Sequence, residues 1–336
     1  MAGPHPAVAA VRLAVRRGLA GLPPGALVLA ACSGGADSLA LAAALACEGP
    51  RRGLRCGGIT IDHGLQAGSA EQARRVTAVL AQLGLDPVRA VCVTVPRPGP
   101  GGAYRGPEAA ARTARYAALE QAALDQAPGP AAVILLGHTL DDQAETVLLG
   151  LARGSGSRAL AGMAPASGRY LRPLLGIRRA QTRAACAALG LAPWDDPHNS
   201  DPAYTRVRVR RALLPVLEEQ LGPGVAEALA RTARQLRADA DLLDELAAAA
   251  AAAIADGQPG LPARVLAAEP AAIRTRLLRG AALAAGAPAG ALTQEHVTQL
   301  DALVTGWHGQ RGVDLPGRIR CQRRCGRLLF AHSSTC

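Results

Sequence analysis

The stretch ALVLAACSGGADS, residues 26–38, decides the fold. Ala26 to Cys32 are small or aliphatic at every position, as in a parallel strand buried on both faces. Ser33-Gly34-Gly35-Ala36-Asp37-Ser38 follows and runs into the helical stretch LALAAALA. A glycine pair lets backbone N–H groups crowd around an anion at a helix N-terminus, where unpaired donors and the helix dipole both favour negative charge. An ordinary strand-to-helix turn is the plainer reading of Gly34-Gly35. Asp37 argues for a phosphate cradle, because a carboxylate inside an anion site repels its ligand unless Mg²⁺ lies between them.

Outward from this turn the pattern alternates. Residues 6–22 read as an amphipathic helix with Val8, Val11, Val15 and Leu19 at helical spacing, stopped by Pro23-Pro24. Strands at 56–61, 88–95 and 132–136 are interleaved with helices at 69–83, 107–126 and 141–151. This predicts an α/β fold with a doubly wound parallel sheet, whose ligands gather at the carboxyl ends of the strands, at the switch point. Polar residues fall at those ends: Ser33 to Ser38, then Asp62 and His63, then His138 with Asp141, Asp142 and Glu145. A further helix is expected at 178–189. Beyond Gly222-Pro223-Gly224 the composition shifts to Ala/Leu/Arg helices at 225–255 and 270–284 and then to a small C-terminal β-hairpin. The expected division is an N-terminal helix (1–24), a catalytic domain (25–220) and a helical domain ending in the hairpin (225–336).

Composition removes several function classes. The chain has no lysine, so all 37 basic residues are arginine. A Walker loop needs a lysine for the phosphates and is excluded, as is a covalent lysyl intermediate. The net charge of +11 is concentrated in 172–211 and 306–330, which points to a polyanionic partner. The six arginines of the second stretch are expected to form a basic patch on the hairpin. Seven aromatic residues in the whole chain are too few for a platform of stacked rings, so RNA would be held through phosphates, shape and guanidinium planes. The eight cysteines are scattered, and Cys321 and Cys325 lack a second pair or histidine at zinc spacing. Buried thiols of this kind suit a reducing compartment, and no signal or membrane-spanning run is legible, so a cytoplasmic protein without membrane contact is expected.

In a helix beginning near Leu140, Asp141 and Glu145 share one face and Asp142 lies about 100° round. Carboxylates gathered without adjacent cations are costly unless a metal or a reacting ammonium sits among them. Acids that merely favour a helix N-terminus are the alternative.

The loop SGGADS resembles the pyrophosphatase-type loop of the N-type ATP pyrophosphatases, which have an adenine nucleotide alpha hydrolase-like, Rossmann-like fold. With IDHGL (61–65), GPEAAARTARYAAL (106–119), LGHTLDDQAETVLLGLARGSG (136–156), RPLL (172–175) and WDDPHNSDPAYTRVRVR (194–210), the ordered set resembles the bacterial tRNA(Ile)-lysidine synthetase family. Thr139 stands where that family often has a second histidine. The resemblance implies a ligase that adenylylates the C2 oxygen of the wobble cytidine of tRNA(Ile) with a CAU anticodon, consuming ATP, and then joins free L-lysine to C2. It implies that Ser33, Gly34, Gly35, Ala36, Asp37 and Ser38 hold ATP, that Asp37 holds Mg²⁺, and that Asp62 and His63 border the adenosine. Arg112, Arg115 and Arg206 would neutralise charge during AMP transfer. His138 belongs with Asp141, Asp142 and Glu145, one of which would hold or deprotonate the incoming ammonium. A homodimer stays open, as does a silent tRNA- or nucleotide-binding protein. A related tRNA sulfurtransferase would need Cys-x₂-Cys pairs that this chain lacks.

Overall fold

The structure, a computed structural model, describes residues 3–62, 64, 68–93, 107–126, 132–154, 156–196, 201–255 and 257–332, with backbone alone for 107–112 and 126. His63 and the side chain of Arg112 therefore lie outside the described residues. The chain runs α1 (Pro6–Gly18), β1 (Leu27–Ala31), α2 (Ala36–Glu48), β2 (Arg55–Asp62), α3 (Ser69–Gln82), β3 (Val88–Cys92), α4 (Pro107–Gln126), β4 (Val133–Leu136) and α5 (Leu140–Leu151). It continues through α6 (Ser157–Leu160), β5 (Ala166–Ser167), β6 (Tyr170–Leu171), α7 (Arg179–Ala188), α8 (Thr205–Arg208), α9 (Leu214–Leu221) and α10 (Val225–Ile254). Then come β7 (Leu261–Pro262), α11 (Ala263–Ala268), α12 (Ala271–Ala284), α13 (Gln294–Thr305), β8 (Val313–Leu315), β9 (Ile319–Arg324) and β10 (Arg327–His332). Two compact units result, residues 1–149 with 162–232, and residues 150–161 with 233–336.

The first unit holds a six-stranded sheet in the order β3-β2-β1-β4-β6-β5, parallel except for the β5–β6 edge pair. The order reverses between β1 and β4, which makes their carboxyl ends the switch point. β1 is buried on both faces as its composition demands. Val28 and Ala30 pack with α1, α2 and α7, while Leu27 and Leu29 pack with Leu119, Ala122 and Ala123 of α4. Val8, Val11 and Val15 of α1, with Leu19 just beyond it, are all buried, the stripe expected from their spacing. The β5–β6 hairpin has two-residue strands, too short to leave a periodic signature.

One ion cluster ties α1 to α2. Glu48, its side chain 1% exposed, accepts hydrogen bonds from Arg12 Nε at 2.6 Å and Arg16 Nε at 2.7 Å. The Arg16 hydrogen bond, aided by Arg12, outweighs burial and holds the carboxyl down at about 2. A carboxylate depressed on folding stabilises fully above its unfolded value of 4.5, and that contribution is lost as pH falls through about 2. Glu48→Gln is expected to cost about 2 kcal/mol at pH 7, since two charge-assisted bonds go and partly exposed arginines rehydrate. The gap to wild type should close on acidification, read by urea denaturation across pH; a gap constant with pH would remove the clamp.

The second unit buries Leu266, Leu278, Leu300, Cys321 and Leu328 between helices and a four-stranded antiparallel sheet, β7-β10-β9-β8. The expected hairpin, turning at Pro316-Gly317, is β8–β9, and the sheet adds a second one, β9–β10. The two-residue turn of the second, Cys325-Gly326, has φ of 48° and 75°, both left-handed, which matches the right-handed twist of the flanking strands. Cys321 is buried in the sheet and Cys325 is exposed at the turn, so the pair does not converge as metal ligands would. The basic patch is smaller than the sequence suggests. Arg320 pairs with Asp314 at 3.0 Å, Arg323 donates to the carbonyls of Leu303 and Val304, and Arg327 to those of Pro259 and Gly260. Arg311, Arg318 and Arg324 remain exposed. No helix among the described residues is long and apolar enough to cross a membrane.

Candidate active site at the switch point

The loop between β1 and α2 is held by its own serines. Ser38 Oγ accepts from the Ser33 amide at 3.2 Å and donates to the Gly35 carbonyl at 2.9 Å. Gly35 caps α2 without any side-chain acceptor, which leaves the first-turn N–H groups for an outside anion. Gly34 has φ of 87°, a left-handed conformation that favours glycine, and a Cβ there would also press on Val76 Cγ2 at 2.9 Å. Across the switch point, a Cβ on Gly137 would stand 3.2 Å from the Asp37 carbonyl and from Ser38 Cα. The end of β4 thus lies against the first turn of α2, which brings His138 and the acids of α5 beside Asp37.

The acids are not left without cations, and here the sequence expectation is corrected. Arg179 Nη2 donates to Asp142 at 2.7 Å, Nε donates to Asp37 at 3.3 Å, and Nη1 stands 3.6 Å from Glu145. Arg210 grips Glu145 with Nε at 2.7 Å and Nη2 at 3.2 Å. Asp142 also accepts from the Thr139 amide and hydroxyl at 2.7 and 2.9 Å, so Thr139 serves as its anchor. Thr182, fully buried, donates its hydroxyl to Asp37. Asp141 turns away from the cluster: it accepts the Arg179 backbone N–H at 2.7 Å and caps α7.

Burial pushes Asp37 up, against the Thr182 hydrogen bond and Arg179. Burial likewise pushes Glu145 up, against its Arg210 bond. Burial works the same way on Asp142, but Arg179, the Thr139 donors and His138 outweigh it and hold that carboxyl low. Three acids within one cluster thus differ in proton affinity because their partners differ.

These groups surround a cleft of about 760 Å³. Ser33, Gly35, Ala36, Asp37, Ser38, Asp62, Arg115, His138 and Asp142 line it, whereas Gly34, Asp141, Glu145 and Arg206 do not. Asp62 accepts the Gly64 amide at 2.9 Å at the end of β2. Arg179, Arg183, Arg210 and Arg211 also line the cleft, and sequence reasoning missed them as site residues. Their signal is the arginine density of 172–211, which points to a polyanionic partner and from which the sequence reading brings only Arg206 to the site. Thr182 gives no signal, and Trp194, whose amide donates to the Gly34 carbonyl at 2.9 Å, opens the 194–210 block without a role in that reading.

A cradle with free N–H groups at the switch point of a parallel sheet, bordered by acids, is the arrangement of an ATP pyrophosphatase-loop protein. Residues 17–217 match the PP-loop domain family, and residues 261–329 match the TilS substrate binding domain. The fold superposes on a U34-tRNA thiolase from Methanococcus maripaludis with a TM-score of 0.56 at 18% identity, covering 68% of this chain and 79% of that one, a likeness of fold alone. The tRNA(Ile)-lysidine synthase of Thermobifida fusca is 60% identical over 332 residues, 98% of this chain and 99% of the relative. That of Streptomyces coelicolor is 55% identical over 357 residues, again 98% and 99%. The chain belongs to the tRNA(Ile)-lysidine synthase family.

Proposed function

We propose that the chain uses ATP to adenylylate the C2 oxygen of the wobble cytidine of tRNA(Ile) with a CAU anticodon, then joins free L-lysine to C2 through its side-chain nitrogen, forming lysidine. The observation that carries this is one cleft lined by both an anion cradle and the acids Asp37 and Asp142, with Glu145 held behind its wall by Arg179 and Arg210. Family membership supplies the substrate.

In the first step the C2 oxygen attacks the α-phosphorus and pyrophosphate leaves. Ser33, Gly35, Ser38 and the open N–H groups of α2 hold phosphate, and Arg115, Arg179, Arg183, Arg210 and Arg211 offset the developing charge. Arg112, Arg206 and His63 belong to this proposal as residues carried over from the family pattern, and Asp62 borders the adenosine. Mg²⁺ fits Asp37, a single hard carboxylate beside a phosphate loop, because substrate phosphates and water supply the remaining ligands of that ion. When bound, the ion supplies charge neutralisation at the phosphates. In the second step the lysine side-chain amine attacks C2 and AMP leaves, carrying off the oxygen. The amine's proton goes to a carboxylate, and Glu145, pushed up by burial, is the better acceptor. Residues 225–336 hold the tRNA, and an RNA substrate of this kind places the work in the cytoplasm.

The test is AMP release with and without tRNA and lysine. Wild-type protein should require tRNA for AMP formation, and lysine for conversion of the adenylylated RNA. Glu145→Gln should slow that conversion by about 10²–10³ and let adenylylated tRNA accumulate. If none is trapped, while wild-type protein deprived of lysine does yield it, Glu145 loses its role; AMP release indifferent to tRNA would sink the whole reading.

A further inference from the structure

Glu145 is walled off from the cleft. Its side chain is 0% exposed and does not line the cleft, whereas the two guanidiniums that contact it, Arg179 and Arg210, do. Arg210, 27% exposed, makes the two-pronged contact with the carboxylate and reaches Asp142 at 3.6 Å. A free ammonium is a point charge and cannot match that fork. The guanidinium is also tethered, so its effective concentration at the carboxylate exceeds what a free amino acid attains. In this state the place for an amine is taken.

The two arginines are held differently. Arg179 opens α7 with its backbone N–H on Asp141, and its guanidinium lies chiefly between Asp142 and Asp37. Arg210 sits in a π-helical turn, Val209–Leu213, inserted between the α-helical turns of α8 and α9. A π turn carries an extra residue relative to α geometry, is uncommon, and re-aims the side chains on it when its register changes. Arg210 and Arg211 both border the cleft that contains the phosphate loop.

We propose that Arg210 is a displaceable internal counter-ion: phosphate entering the cleft draws its guanidinium off Glu145, and only then is Glu145 open to the substrate amine. This rests on the reading of Glu145 as the amine's seat. The exchange keeps every buried charge paired, since Arg210 passes from carboxylate to phosphate while Glu145 passes from guanidinium to ammonium. It makes amine binding follow nucleotide binding. Arg210 acts here as a positioning residue.

The experiment is calorimetric binding of L-lysine to the full chain, with and without α,β-methylene-ATP. Wild-type protein should bind lysine at least about tenfold more tightly with the analogue, because the analogue raises the fraction with an open seat. Arg210→Gln should show that tighter affinity without the analogue and gain nothing from it. Arg210→Lys, which keeps a tethered cation but loses the fork, should bind lysine more tightly than wild type without the analogue and gain less from it. Glu145→Gln should lose lysine binding in both conditions. If Glu145→Gln loses binding but Arg210→Gln leaves affinity unchanged, the seat stands and the gate is overturned. If Glu145→Gln binds normally, the seat itself is wrong and the gate falls with it. Should Arg210→Gln fail to fold by circular dichroism, wild-type protein decides alone, and equal affinities with and without the analogue overturn the proposal.

Discussion

Asp37→Asn is expected to lower tRNA-dependent AMP formation by at least about 10³-fold, roughly 4 kcal/mol of transition-state stabilisation, while the melting temperature moves little. The carboxylate is the metal-binding charge in the phosphate cradle under the proposed mechanism, and asparagine removes that charge alone. The choice of asparagine follows from the structure. Read from sequence, Asp37 is a loop residue that alanine could replace without structural cost; in the fold it is the second residue of α2, and Thr182 and Arg179 both donate to it. Asparagine keeps an acceptor for the buried Thr182 hydroxyl, which alanine would leave with the Arg179 carbonyl alone. AMP release at saturating Mg²⁺ is the measurement, and turnover near that of wild type would remove the metal role.

Arg179→Ala should be costly for the fold itself, about 3–5 kcal/mol at pH 7, because it strips the shared cation from Asp37, Asp142 and Glu145. The sign of its pH dependence separates this from a simple packing loss. Asp37 and Glu145 already lie above their ordinary values and rise further without the guanidinium, and Asp142 loses the strongest of the contacts that hold it low. Stability tied to a raised acid is present below the unfolded pKa and lost as pH rises through the folded one. The variant should therefore recover toward wild type between pH 7 and pH 5 in urea melts. A deficit equal at both pH values would show that Arg179 packs rather than pairs.

Most of the sheet was legible because the signals are local: a uniformly aliphatic β1, the valine stripe of α1, and polar residues at strand ends, which three neighbouring ends then confirmed. The site's pairing was not. Arg179 meets Asp37 across 142 positions and Arg210 meets Glu145 across 65, and no spacing rule reaches that far. Without those partners the acids looked like a vacant cation site. Asp141 misled for a different reason, since an acid in the first turn of α5 can serve that helix, a ligand or a neighbour, and here it caps α7. The π turn that carries Arg210 begins in a run of alternating arginine and valine, 206–210, whose period of two gives no helical signal.

The cations on the cleft wall, Arg115, Arg179, Arg183, Arg210 and Arg211, are guanidiniums, and the chain has no lysine anywhere. A guanidinium stays protonated far above neutral pH and offers no lone pair to an electrophile. Cys32, whose thiol borders the same cleft, is kept protonated by burial. An activated carbonyl carbon held here would thus meet strong positive charge but no side-chain amine or thiolate able to attack it. The walls offer no lysyl amine to the electrophile they stabilise, so an amine adduct formed in the cleft takes its nitrogen from outside the protein.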